Sequence, residues 1–266
     1  LFSNSYLIMP KLNIVKIGGD IIEEEKKFLA FLKDFTDIKG PKILVHGGGK
    51  RATTWAKKLR IPVQMKNGRR ITNNETLDII TAIYVGQINK TIVANLQGFG
   101  CNALGLSGAD ANTIKAVKRP VEKIDYGFVG DIIMVNKDWL IKILEQNIIP
   151  VCCAITHDGD GQLFNTNADT ITAEIGKALA KEFEIKLSYC FGLPGVMKDI
   201  KDSSSLIEKI DQKSYETLLL TKAISAGILP KLHNAFDALN SGVNEVAIGN
   251  AEMINKAIPY TSITLT

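Results

Sequence analysis

Residues Leu12-Asn13-Ile14-Val15-Lys16-Ile17-Gly18-Gly19-Asp20 form a short β-branched run that stops on paired glycines, which predicts a strand over residues 12–17 closed by a tight turn. Working outward, a helix-like stretch at 23–35 leads to a second strand at 42–45. That strand ends on His46-Gly47-Gly48-Gly49 and runs directly into a helix-like stretch at 50–59. The alternation continues: strands are predicted at 148–152, 184–189 and 245–248, and helices at 74–98, 137–146, 169–183 and 231–240. Strands alternating with helices predict a mainly parallel sheet covered on both faces. A different texture at 121–135, centred on Tyr126-Gly127-Phe128-Val129-Gly130, predicts an inserted hairpin. The 266 residues suit one large α/β unit or two closely joined lobes. Two lobes sharing one sheet fit best, residues 1–180 and 181–266, with the seam near Ala180.

Composition excludes several classes. The chain is 45% hydrophobic and 23% charged, as soluble globular proteins are. No apolar run approaches the roughly 20 residues of a membrane span, and Leu1 to Pro10 lack the basic start and apolar segment of a signal peptide. The net charge is only +4. A basic segment (Lys115, Lys118, Arg119, Lys123) has no interleaved aromatics, so it reads as a solvated loop rather than a nucleic-acid site. Anionic small molecules are the expected partners, with no nucleic acid and no membrane. Cys101, Cys152, Cys153 and Cys190 form no C-x-x-C pair, and with His46, His157 and His233 they give no metal-ligand spacing. Cys152 and Cys153 read as buried free thiols, and the expected compartment is the reducing cytoplasm.

Ligands of open α/β sheets bind beyond the carboxyl ends of the strands, where the glycine turns fall. Glycines there let a backbone approach a ligand, and the helix that follows offers free N–H groups to an anion. A plain tight turn remains the alternative. A P-loop is excluded because Gly49-Lys50 is followed by Arg51, and neither turn supplies the dinucleotide fingerprint. The protein-kinase motifs are missing too. Asn165-Thr166-Asn167-Ala168-Asp169-Thr170 precedes a long helix, and one of its polar residues suits an N-cap; three in five positions exceed that need. Lys231, in Gly227-Ile228-Leu229-Pro230-Lys231, opposes a helix dipole unless an anion is near.

In these motifs the chain resembles the amino acid kinase family, and within it the acetylglutamate kinase branch. The matching segments are Lys16 to Gly19, His46 to Gly49, Asn67-Gly68-Arg69-Arg70-Ile71-Thr72, Gly86-Gln87-Ile88-Asn89-Lys90, Gly105 to Gly108, Gly127 to Gly130, Asn165 to Thr170, and Ile228 to Lys231. The branch rests on the segment from Asn67 to Thr72 and on Gly127 to Gly130. Two departures stand out. Asn73 replaces a common Asp, and Ser188-Tyr189-Cys190-Phe191-Gly192-Leu193-Pro194-Gly195 puts Cys190 at an Asp position with two residues inserted.

The resemblance implies a three-layer α/β/α sandwich whose first lobe binds an N-acyl-glutamate and forms a homodimer, while the second binds ATP. It implies phosphorylation of the side-chain carboxylate of N-acetyl-L-glutamate, or another N-acyl-L-glutamate such as N-succinyl, by ATP with Mg²⁺ in arginine biosynthesis. Lys16 and Lys231 would neutralise the transferring phosphoryl, and Asp169 would hold both lysines. Gly48, Gly49, Arg70, Asn165 and Asn167 would bind the substrate, and Gly18, Gly19, Cys190, Gly195 and Gly227 the nucleotide. No residue would be a dedicated metal ligand. Members with arginine inhibition carry an added N-terminal helix; only a short, unpatterned stretch precedes Leu12, so an uninhibited dimer is expected. A kinase with another acceptor, a non-catalytic sensor of acyl-glutamate or nucleotide, and a nicotinamide oxidoreductase are the alternatives.

Overall fold

The computed structural model describes residues 9–66, 68–221 and 228–266. In chain order the strands are β1 (Lys11–Ile17), β2 (Lys42–His46), β3 (Gln64–Lys66), β4 (Arg69–Ile71), β5 (Ala103–Leu106), β6 (Ile114–Lys118) and β7 (Gly130–Val135). They continue with β8 (Ile149–Cys153), β9 (Ile155–His157), β10 (Leu163–Asn165), β11 (Glu184–Phe191), β12 (Lys209–Ile210), β13 (Glu245–Asn250) and β14 (Thr261–Ile263). The helices are α1 (Gly19–Glu23), α2 (Glu25–Asp37), α3 (Gly49–Lys58), α4 (Asn74–Thr81), α5 (Asn89–Gly98), α6 (Lys137–Glu145), α7 (Ala168–Leu179), α8 (Gln212–Thr221) and α9 (Leu229–Asn240).

The central sheet has eight strands in the order β12-β14-β13-β11-β1-β2-β8-β5. From β13 to β5 every pairing is parallel, while β14 runs antiparallel to β13 and β12 runs parallel to β14. Apolar residues fill both faces of the inner strands: Leu12, Ile14 and Ile17 of β1 and Ile43, Leu44 and Val45 of β2 are fully buried. Such strands need a helical layer on each side. Helices α2 and α5, α1 and α3, and α3 and α4 pack on one another, while α6 and α9 pack on α7 and α8 packs on α9, giving three layers. Each strand expected from the apolar runs is present.

Three features differ from the expectation. First, the helix predicted at 74–98 is interrupted by a π-helical segment, Ala82–Ile88, between α4 and α5. Second, a smaller sheet, β10-β9-β6-β7, stands beside the main one. A hairpin does fall near residue 121, with β6 and β7 as its arms, but Tyr126–Val129, within the connection between them, forms no tight turn of its own. Instead this segment threads between two others. Thr72 N donates to Tyr126 O (2.9 Å), Phe128 N to Thr72 O (2.7 Å) and Asn165 N to Phe128 O (2.9 Å). Gly127 has a φ of 69°, and a Cβ there would come within 2.2 Å of Thr72 O, so only glycine fits. Third, the short β3–β4 hairpin carries Arg70. Asn73 caps α4 by accepting from Thr76 N (2.9 Å), a task Asn performs as well as Asp, so this departure costs the fold nothing.

Candidate active site

Parallel strands bring their carboxyl ends to one edge, and here those ends carry the glycine turns. Ile17 is level with His46 on one side and Cys190 on the other. Beyond this edge opens a cleft of about 740 Å³. Helix starts line it: Gly19 of α1, Gly49 of α3, Ala168 of α7 and Leu229 of α9. Each start presents unpaired N–H groups and a partial positive charge. No side chain caps α1, α3 or α9, which leaves those donors for an anion. Lys16, Lys50, Arg69, Arg70, Arg119 and Lys231 line the cleft against two carboxylates, Asp20 and Asp169.

At the centre, Asp169 joins three elements. It is the second residue of α7, a position that favours negative charge. Lys16 of β1 places its Nζ 2.9 Å from Asp169 Oδ1, an ion pair off the line of a hydrogen bond. Lys231, in the first turn of α9, donates to Asp169 Oδ2. Burial alone would push the Asp169 carboxyl up, but the two ammonium groups outweigh it and hold it down, to about 2. Lys231 is drawn below its ordinary value by burial and by the charge of Lys16, against the pull of Asp169. Two cations thus share one anion, and the surplus charge faces the cleft. Asn167 is the N-cap of α7: its Oδ1 accepts from Asp169 N (2.7 Å) and Thr170 N (3.3 Å), fixing the backbone that carries the carboxylate.

The triple-glycine turn is anchored from beneath. His46 is fully buried; its Nδ1 donates to Gly47 O (2.8 Å) and its Nε2 accepts from Asn89 Nδ2 (3.0 Å). Asn89 also donates to Val151 O (2.9 Å), so β2, α5 and β8 are tied together. Burial holds His46 down, to about 4, which makes it a neutral brace and not a proton carrier. Gly48 packs against the π-helical segment: a Cβ there would meet Ile88 Cδ1 at 2.3 Å and the Tyr84 ring at 2.9 Å. Arg70 Nη2 donates to Gly49 O (2.9 Å) and Thr53 Oγ1 (2.7 Å), leaving Nε and Nη1 without protein partners among the described residues. Asn165 Nδ2 donates to Thr72 Oγ1 (3.1 Å).

The structure therefore brings Lys16, Lys231, Asp169, Gly48, Gly49, Arg70, Asn165, Asn167, Gly18 and Gly19 to one cleft. Two expected nucleotide residues are not part of it. Cys190 is buried within β11, its thiol pushed up to about 12 by burial. Gly195 is buried against Thr261 and Leu206, where a Cβ would sit 2.5 and 2.6 Å away. Gly227 lies outside the described residues. The cleft wall near β11 is Phe191 instead, and Tyr215 of α8 adds a ring stacked on Phe236 (centroids 4.8 Å apart). Sequence reasoning also missed Asp20, Tyr84 and Arg119. Asp20 closes the first quoted stretch and could have been found, whereas Arg119, read as part of a solvated basic loop, lines the cleft.

The amino acid kinase family profile matches residues 11–250. A Cytophaga hutchinsonii protein named acetylglutamate kinase is 51% identical over 94% of this chain and 95% of its own length. One of the same name from Bacteroides thetaiotaomicron is 49% identical over 92% and 95%. Among solved structures, N-acetylglutamate synthase from Neisseria gonorrhoeae, complexed with coenzyme A and N-acetyl-glutamate, superposes with a TM-score of 0.81. It is 19% identical, covering 97% of this chain and 60% of that one. Carbamate kinase from Giardia lamblia, bound to AMP-PNP, gives 0.68 at 14% identity over 97% and 99%. At these identities the two structures speak to the fold alone.

Proposed function

The chain belongs to the amino acid kinase family, and from that premise we propose that it transfers the γ-phosphoryl of ATP to the side-chain carboxylate of N-acetyl-L-glutamate. The product is N-acetyl-L-glutamyl 5-phosphate, an early intermediate of arginine biosynthesis. The observation that carries the reading is Asp169 holding Lys16 and Lys231 together at an edge of helix starts, in a chain about half identical to proteins named acetylglutamate kinase.

The chemistry follows from charge. A glutamate side chain, with an ordinary pKa of about 4.3, is already an ionised nucleophile at neutral pH, so no general base is needed. The barrier is that of bringing two anions together in line, and catalysis reduces to positioning and neutralisation. Lys16 and Lys231 neutralise the transferring phosphoryl. Asp169, held near 2, stays ionised throughout and orients both lysines without taking a proton. The N–H groups of Gly19, Gly48 and Gly49 stabilise the moving oxygens as oxyanion-hole donors do. Arg70 turns its free Nε and Nη1 to the substrate α-carboxylate in a two-pronged contact. Asn165 and Asn167 border the acyl-amide end.

Among the described residues no group of three or more His, Cys, Asp or Glu could cage a metal. Mg²⁺ accompanying ATP would be held mainly by phosphates and water and would supply further charge neutralisation beside Lys16 and Lys231. The same proposal assigns acyl-glutamate binding to residues 1–180 and ATP binding to 181–266, in a cytoplasmic homodimer. No described helix is long and apolar enough to cross a membrane.

The test is ATP-dependent acyl-phosphate formation, trapped with hydroxylamine, comparing N-acetylglutamate, N-succinylglutamate, glutamate and aspartate. Hydroxamate from N-acetylglutamate, lost in Lys231→Ala, is the expected result. Product from another acceptor alone would reassign the substrate, and none from any of the four would overturn the activity.

A further inference from the structure

Asp169 is paired with two lysines, whereas the cleft's other carboxylate, Asp20 in the first turn of the short helix α1, has the helix start but no ion-pair partner among the described residues. Among the described residues no ammonium or guanidinium comes within ion-pair distance of Asp20. A bare carboxylate in a cleft that must admit a nucleotide and a dicarboxylate repels both ligands, and this cost calls for a compensating cation. The surroundings of Asp20 are shaped around it. A Cβ on Gly18 would lie 2.6 Å from Asp20 Oδ1, and one on Gly192 would lie 2.4 Å from Oδ2. The carboxylate therefore sits between two bare backbone segments, one at the end of β1 and one just past β11. Gly18 is buried and Gly192 exposed, so the seat is closed on one side and open to solvent on the other. Asp20 and Lys231 line the same cleft, and the charge of Asp20 favours that ammonium's protonated form, against the larger effects of burial and Lys16.

Mg²⁺ dehydrates reluctantly and is typically held by one or two carboxylates together with substrate phosphates and water. Among the described residues Asp20 is the carboxylate of this cleft without an ion-pair partner, and its place directly after Gly19, in the cleft that Lys231 also lines, is where the nucleotide phosphates are proposed to lie. We propose that Asp20 is the protein's own contact to the divalent cation accompanying the nucleotide, made directly or through the metal's water shell. This rests on the ATP-dependent reading above. It adds one protein carboxylate to a metal otherwise held by phosphates and water, and it gives Asp20 a positioning role toward the nucleotide.

The experiment is calorimetric titration of ADP into the full-length chain with and without Mg²⁺, for wild type and Asp20→Asn. Electron paramagnetic resonance of Mn²⁺ bound in the ADP complex is read in parallel. The expected result is that Mg²⁺ tightens ADP binding to the wild type by about tenfold, the low end for close charge pairs. In Asp20→Asn that gain is lost, while Mg²⁺-free affinity is kept or improved, and the bound-Mn²⁺ fraction falls. A variant that keeps the full Mg²⁺ gain overturns the proposal. So does one that loses affinity equally in both conditions, because Asp20 would then act through Lys231 or the fold. A wild type that binds ADP equally well with and without Mg²⁺ also overturns it and leaves the kinase reading standing. A wild type that binds no ADP in either condition overturns both.

Discussion

Asp169 carries one negative charge against two ammonium groups, and this imbalance has consequences for stability as well as for catalysis. Its folded pKa is depressed from 3.8 to about 2, so the fold favours the ionised form. The resulting stabilisation, about 2 kcal/mol, is whole above the unfolded value and is lost as pH falls through the folded one. Lys231, lowered from its ordinary value, is charged in both states at acid pH, so its cost is constant across that window. Asp169→Asn leaves two buried lysines uncompensated and should destabilise the chain by about 3–5 kcal/mol at pH 7. The gap between wild type and variant should narrow by about 1 kcal/mol by pH 3, read from urea denaturation at the two pH values. A constant gap would show that the carboxyl is not held low. For turnover, Lys231→Ala should lower kcat by about 10²–10³, the cost of removing one transition-state donor. Arg70→Ala should instead raise KM for the acyl-glutamate, by an amount equivalent to about 2–5 kcal/mol, and leave KM for ATP nearly unchanged. A Lys231→Ala defect confined to KM would contradict the role given to that lysine.

At the scale of elements, the glycine turns and the π-helical segment form one packed unit. Gly48→Ala drives a methyl into Ile88 and Tyr84, an overpacking cost of about 1–3 kcal/mol. For a chain of this size that lowers Tm by about 2–4 °C per kcal/mol. Gly19→Ala meets nothing within 4 Å, so it should keep its Tm and lose activity only by crowding the ligand. Thermal unfolding and kcat/KM on the same two variants separate packing from contact; equal Tm losses would refute the distinction. The same elements show what a sequence discloses. Inner strands such as β1 and β2 are short, mainly apolar runs closed by glycines, so their place was legible, as was the alternation that makes the sheet parallel. Lys16, Asp169 and Lys231 were legible because each lies in a compact motif. The strands of the small sheet are three to six residues long and depend on tertiary pairing for their definition. The π-helical segment keeps a helical apolar pattern, so periodicity could not separate it from α4 and α5. Phe191 and Tyr215 reach the cleft through β11 and α8, a convergence no local pattern records. Cys190 lies in the buried part of β11, and the residue after it, Phe191, is the one that reaches the cleft, an alternation along the strand that the motif alone does not settle.

For the whole molecule, the question is whether the two lobes are separate bodies joined at a cleft or one body. Lys11 to Ile17 of β1 pair residue by residue with Glu184 to Cys190 of β11, so the sheet runs across the seam without a break. The buried core follows it, from Leu106 in β5 to Ile263 in β14. Lys16–Asp169–Lys231 adds a second crossing, at the carboxyl edge, from β1 through α7 to α9. Opening one lobe would break the seven residue pairs between β1 and β11 and expose core on both sides, so the chain should unfold in a single transition. The two tryptophans make this testable, because Trp55 and Trp139 both lie in the first lobe whereas the nucleotide is assigned mainly to the second. MgADP at about 100 times its Kd adds about 2.7 kcal/mol to a state that binds it. If the lobes are one cooperative unit, that stabilisation moves the tryptophan fluorescence transition and the far-ultraviolet circular dichroism transition together, by about 5 °C or more. If MgADP shifts part of the dichroism signal and leaves the tryptophans melting where they did, the lobes unfold separately. The continuous β1–β11 pairing would then be a hinge between bodies and not the spine of one.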